Sequence, residues 1–165
     1  MNNDSILLPI IIPLIASVLT LPIRRLAVVG QIIMLLGVFV NLIVAIFLFK
    51  HELTYSLPWA GLGMEFIPRL FHFSAFILLA TAAFAFLFVV YCTSFMQGKS
   101  YANQFYFYLL VSVAMVNGAV LADNLVLMLF FWEGLLLTLF GMIALGGGWD
   151  DEPNSMTQPI SGKKK

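Results

Sequence analysis

Apolar residues run in five long blocks separated by short polar or turn-forming links, and that spacing predicts the elements. The blocks predict helices over about 6–23, 28–49, 73–95, 105–122 and 125–145, each near the ~20 residues a helix needs to cross the hydrocarbon core. The first is only just long enough, with Pro9 and Pro13 one turn apart and Pro22 near its exit. Prolines inside a spanning helix free backbone carbonyls, which a membrane bundle accepts when a neighbour fills the gap. In the second block Gly30 and Gly37 mark one small-residue stripe, and Asn41, a turn beyond, is placed to hydrogen-bond across whatever packs there. The third carries Ala80, Ala82, Ala83 and Ala85 for close packing, with Tyr91 and Cys92 near its far end. Tyr106 and Tyr108 open the fourth, whose latter half is interrupted by Asn117-Gly118.

The links refine this outline. Between Lys50 and Leu70, Pro58, Gly61, Gly63 and Pro68 punctuate the longest one, and Trp59 suits the membrane interface. Its flanks, Leu53–Leu57 and Met64–Ile67, partly alternate and fit a small surface hairpin. Ala122-Asp123-Asn124 turns the chain directly into the fifth helix, and Asp123 is its candidate N-cap. Gly146, Gly147 and Gly148 end that helix, and residues 149–165 read as a flexible polar tail with a terminal run of three lysines. The expected fold is an all-α membrane protein: a bundle of five transmembrane helices within residues 1–148, followed by that polar C-terminal tail.

Composition agrees with the pattern, since 62% of the residues are hydrophobic and 10% are charged, against about 25% charged in soluble domains. Zero formal net charge gives no reason to expect a nucleic-acid partner. Cys92, the single cysteine, excludes an intrachain disulfide or a thiolate metal cluster, so no metal site or cofactor is expected in this chain. Met1-Asn2-Asn3-Asp4 lacks the basic start of a cleaved signal peptide, and the first helix is expected to be retained. Basic residues set the orientation. With the N-terminus outside, Arg24, Arg25, Lys99 and the three terminal lysines lie inside against Lys50 and Arg69 outside, which favours N-out and C-in.

Candidate chemistry centres on Glu133. From Leu125 to Leu145 it is the only ionisable side chain in 21 residues, and it lies roughly 3 Å from the midpoint of the run. An ionisable group at that depth costs at least ~2.5 kcal/mol, so it usually faces a bundle interior and marks an ion or proton path. It can instead act as an interhelical hydrogen-bond donor worth around 1 kcal/mol. Every Lys and Arg lies in a link or the tail, so a charge-paired Glu133 would take its lysine from another polypeptide. His72, at the outer start of the third helix, is either a proton-access group or merely solvated. Asp123 is either a cap or a group in ion transfer. Trp132 and Gly134, on either side of Glu133, read as packing residues.

A resemblance sharpens this reading. Tyr91-Cys92-Thr93-Ser94-Phe95-Met96, Phe105-Tyr106-Phe107-Tyr108, Ala114-Met115-Val116-Asn117-Gly118, Ala122-Asp123-Asn124-Leu125 and Phe131-Trp132-Glu133 together resemble the antiporter-like membrane subunits. These are the large proton-pumping subunits of respiratory complex I, their relatives in membrane-bound hydrogenases and formate hydrogenlyase, and the multisubunit cation/proton antiporters. In that family the matching glutamate pairs with a lysine on a later, broken helix, and the pair takes part in moving protons or sodium. The resemblance passes that role to Glu133. It departs at Arg69-Leu70-Phe71-His72-Phe73-Ser74, where the family commonly has Asp before Leu-Ser. It also covers only the first five helices of a family built on two inverted five-helix repeats, which leaves a split subunit, a truncated product or a reduced scaffold subunit as the forms to expect.

The expectation is a membrane subunit of a redox-driven ion-translocating complex, complex I-like or membrane-bound-hydrogenase-like, in the inner (plasma) membrane with its C-terminus cytoplasmic. It would contribute a buried Glu133 to a proton or sodium path and hold no catalytic centre of its own. Its partners would be the lipid bilayer and other membrane subunits, one of them supplying a lysine to Glu133. The alternatives are a non-transporting structural or assembly subunit and an independent small proton-coupled transporter.

Overall fold

The computed structural model describes residues 3–22, 27–50, 53–54, 57–59, 64–66, 68–99 and 101–147. Arg24, Arg25, the ring of Trp59 and the tail read over 149–165 lie outside the described residues or side chains.

Among the described residues five α-helices follow in order. A 3-10 turn over Asn3–Leu7 leads into α1, Leu8–Thr20, followed by α2, Ala27–Leu48. Then come α3, His72–Phe95, α4, Ala102–Leu121, and α5, Leu125–Gly147. Four of these, α2 to α5, are long and apolar enough to cross a membrane; α1, at 13 residues, is shorter. Its predicted run to residue 23 stops early because Leu21 turns its N–H back to the Val18 carbonyl at 3.2 Å just before Pro22.

The chain is mostly rather than wholly helical. Among its described residues the long link carries four short strands, β1 Leu53–Thr54, β2 Leu57–Trp59, β3 Met64–Phe66 and β4 Arg69–Leu70. β2 pairs antiparallel with β3 through Leu57↔Phe66, and β1 pairs antiparallel with β4 through Leu53↔Leu70. Both ladders keep the same register, so they form one interrupted hairpin, as the alternating flanks predicted. A bridge between Pro68 and Ala122 ties the base of this hairpin to the α4–α5 turn.

α4 is the central helix: half of its spanning stretch is buried, against 22% for α3 and for α5, and it packs on all four others. It starts at Ala102, three residues before the predicted boundary, because Asn103 in its first turn is covered by α2. Gly30 of α2 sits directly against the Asn103 side chain, and Gly37 directly against Ala16 of α1. The small-residue stripe therefore works as expected, but it serves two neighbours. At the other end of the link between α3 and α4, Gly98 takes φ +78, a left-handed turn that favours glycine.

Two apolar clusters fill the bundle. One, nearer the hairpin, holds Ile10, Ala45, Leu78, Leu121 and Phe131; the other holds Ala16, Val38, Cys92, Tyr106 and Leu110. At their seam lies a buried polar junction. Pro13 has no N–H to offer the carbonyl of Pro9 one turn earlier. Asn117 of α4 supplies it instead, its Nδ2 donating to the Pro9 carbonyl at 2.7 Å and to Asn41 Oδ1 of α2 at 3.3 Å. The expected interruption at Asn117-Gly118 is thus no break in α4, and Asn41 makes the cross-helix bond read from the sequence.

Candidate functional site

The position of Glu133 follows from how α5 is started and how it is locked against α4. Asn124 Oδ1 accepts the Leu127 backbone N–H at 2.7 Å, the geometry of an N-cap to the third helical residue. The cap is therefore Asn124, not Asp123 as expected; Asp123, one residue further out, reaches Arg69 across the turn instead.

From this start α5 presents Leu127, Phe131 and Thr138 inward, all buried. Three glycines let the helices close up: the Phe131 ring lies on Gly118, Met115 lies on Gly134, and the Tyr108 ring lies on Gly141. Such reciprocal seating, small residue against large from both sides, fixes the rotation of α5 about its axis. Glu133 precedes Gly134 by one residue and is turned about 100° away from it. It is consequently exposed on the outer side of α5, so this chain alone does not supply the burial expected for it.

That outer side is apolar throughout. The residues three and four positions from Glu133 are Leu129, Phe130, Leu136 and Leu137, with 47% to 71% of their surfaces exposed, and Trp132 beside it is 53% exposed. Eight residues separate Glu133 from the start of α5, about 12 Å of a 23-residue helix, so the carboxylate sits near its middle. Among the described residues it makes no hydrogen bond or ion pair.

The other candidates gather at the hairpin end. Arg69 Nη1 stands 3.4 Å from Asp123 Oδ1, both partly exposed, while the Arg69 guanidinium lies 4.5 Å above the Phe71 ring. His72 opens α3 and is exposed; just before it, the Phe71 N–H donates to Ser74 Oγ at 3.4 Å. The structure so joins Asp123 to Arg69, a pairing across 54 residues that the sequence pattern does not disclose. It leaves Asp123 ten residues, about 15 Å of helix, from Glu133. Among the described residues no group of His, Cys, Asp and Glu could hold a metal ion.

Long apolar helices around a central one, with a single carboxylate midway along α5, define a multi-pass membrane protein. No family model matches the chain. Over 70 residues it is 36% identical to the Na(+)/H(+) antiporter subunit A1 of Staphylococcus saprophyticus, a match that spans 42% of this chain and 8% of that protein. Its fold superposes on a chain of the membrane-bound sulfane sulfur reductase, an archaeal respiratory membrane complex, with TM-score 0.71 and 25% identity. That superposition covers 86% of this chain and 23% of the other, so the chain spans about a quarter or less of the proteins it resembles. The resemblance to antiporter-like membrane subunits read from its motifs is present in both sequence and fold.

Proposed function

We propose that the chain is a membrane subunit of a redox-driven ion-translocating complex, in which Glu133 forms part of a proton or sodium path completed by a neighbouring chain. The observation that carries this reading is the setting of Glu133, a carboxylate midway along a spanning helix and ringed at every helical neighbour by exposed apolar side chains. Facing lipid, that carboxylate would be costly; facing another subunit that offers a lysine, it becomes a pair whose making and breaking can move charge. Moving one charge through 100 mV takes ~2.3 kcal/mol, within the reach of one such pair.

The arrangement in the membrane follows. α1 with its 3-10 lead adds about 20 Å and about 10 Å, close to a full crossing, which supports five spans. Five spans with Arg24, Arg25, Lys99 and the three terminal lysines inside, against Lys50 and Arg69 outside, favour N-out and C-in, in the plasma membrane of the cell. The chemistry of the driving reaction belongs to other subunits, and this chain carries no catalytic centre of its own.

Replacement of Glu133 by Gln in the assembled complex tests the reading. Coupled proton or sodium uptake into inverted vesicles is expected to fall at least tenfold, with the complex still assembled. Uptake at the unaltered rate would leave Glu133 a packing residue and the chain a structural subunit.

A further inference from the structure

At the end of the bundle opposite the hairpin, α3 finishes, α4 begins and α5 finishes within one cluster of residues. Between them lies a cavity of about 300 Å³ lined by Phe95, Met96, Phe105, Met142, Leu145 and Gly146, with Lys99 and Tyr101 at its mouth. The depth of this cavity is set by the helices themselves, since Phe95, Ala102 and Gly147 are terminal residues of their helices. Its mouth therefore stands where the hydrocarbon core gives way to headgroups, and its walls reach into the apolar region.

Charge and shape fit one kind of occupant. The Lys99 ammonium lies 4.3 Å from the Phe95 ring centroid and 5.9 Å from that of Tyr101, which stations a cation beside the aromatic lining. Below it all the lining side chains are apolar, and Gly146 leaves open space, since a side chain there would meet nothing within 4 Å. We infer that this cavity is a binding site for an anionic phospholipid, its phosphate against Lys99 and one acyl chain laid between α5 and the α3–α4 link. A neutral zwitterionic lipid fills the same walls but loses part of the attraction at the rim. The site is independent of the orientation and the ion path proposed above, because it rests on Lys99 and the cavity alone.

Native mass spectrometry of the full chain in detergent tests it, with palmitoyl-oleoyl-phosphatidylglycerol against the phosphatidylcholine of the same chains. The protein is expected to retain one phosphatidylglycerol at roughly tenfold lower lipid concentration than phosphatidylcholine. Lys99→Gln should bring the two lipids level, whereas Lys99→Arg, which keeps the charge, should preserve the preference and so separate loss of binding from loss of fold. Gly146→Leu should weaken the retention of both lipids by filling the cavity. Excess inorganic phosphate should leave the bound lipid in place. Equal retention of the two lipids by the unaltered protein, an unchanged preference in Lys99→Gln, undiminished retention in Gly146→Leu, or displacement by phosphate would each overturn the inference.

Discussion

Asn117 on α4 donates its side-chain amide to the backbone carbonyl of Pro9 on α1 at 2.7 Å, across 108 residues of sequence. The bond answers a deficit created by Pro13, which cannot donate to that carbonyl from within α1. Asn117→Ala should therefore leave both the Pro9 carbonyl and Asn41 Oδ1 without their donor in a buried seam, at a cost of about 1–3 kcal/mol. In a Pro13→Ala background the helix regains its own donor, and the cost of Asn117→Ala should fall by about 1 kcal/mol. Unfolding by graded denaturing detergent of the four proteins in this cycle measures the coupling. Strictly additive losses would show that the two residues do not communicate through Pro9.

The seat of Phe131 on Gly118 gives a second expectation. A side chain at residue 118 would run into the Phe131 ring, so Gly118→Val should force α5 away from α4 and destabilise the bundle by about 1–3 kcal/mol. Phe131→Ala opens a cavity when introduced alone, yet in the Gly118→Val protein it should recover part of the loss by removing the clash. Thermal melting in detergent reads both effects. A Gly118→Val protein as stable as the original would mean that α5 is not seated on α4 in this way.

The two ends of the α4–α5 turn should behave differently. Asn124 caps α5 and Asn124→Ala is expected to cost about 1 kcal/mol, with little dependence on salt. Arg69 and Asp123 are 45% and 28% exposed, so breaking their pair with Arg69→Ala should cost less than about 1 kcal/mol and still less at high ionic strength. The same melts at low and high salt compare them. A larger, salt-sensitive loss in Arg69→Ala would give the ion pair a weight that its exposure argues against.

How far the sequence led depends on what each feature requires. Helix positions follow from hydropathy and are within a few residues throughout, because apolar length alone decides what can enter a bilayer. The hairpin was readable from the alternation around Trp59 and Met64. The sequence does not choose Asn124 over Asp123 as the cap, because both are good capping types and only the register of the first turn decides between them. The role of Asn117 was hidden for a related reason: Pro9 and Pro13 announce a carbonyl without a donor, but which helix supplies the donor is a tertiary fact. Least legible was the direction in which Glu133 points. α5 is apolar on every side, so no amphipathic face discloses its rotation, which is fixed by the seating of Phe131, Gly134 and Gly141 on α4.

That rotation makes the proposed interface testable residue by residue. If a neighbouring subunit covers the Glu133 side of α5, single cysteines at Phe130, Leu136 and Leu137, all exposed here, should cross-link to that subunit in the assembled complex through a short bis-maleimide. Cysteines at Phe131 and Thr138, which are buried against the bundle, should not. A lipid-borne photoreactive probe should give the opposite ranking from a lipid-facing helix, labelling 130, 136 and 137 and leaving cross-links absent. The distinction matters because a carboxylate on an outward apolar face has two physical fates. Covered by a subunit bearing a basic group, it can exchange its proton or cation with that partner; facing lipid, it has no counter-charge and no wetted route. Cross-links confined to the Glu133 side, together with loss of coupled uptake in Glu133→Gln, would establish the first fate, and lipid labelling of that side would remove Glu133 from any ion path.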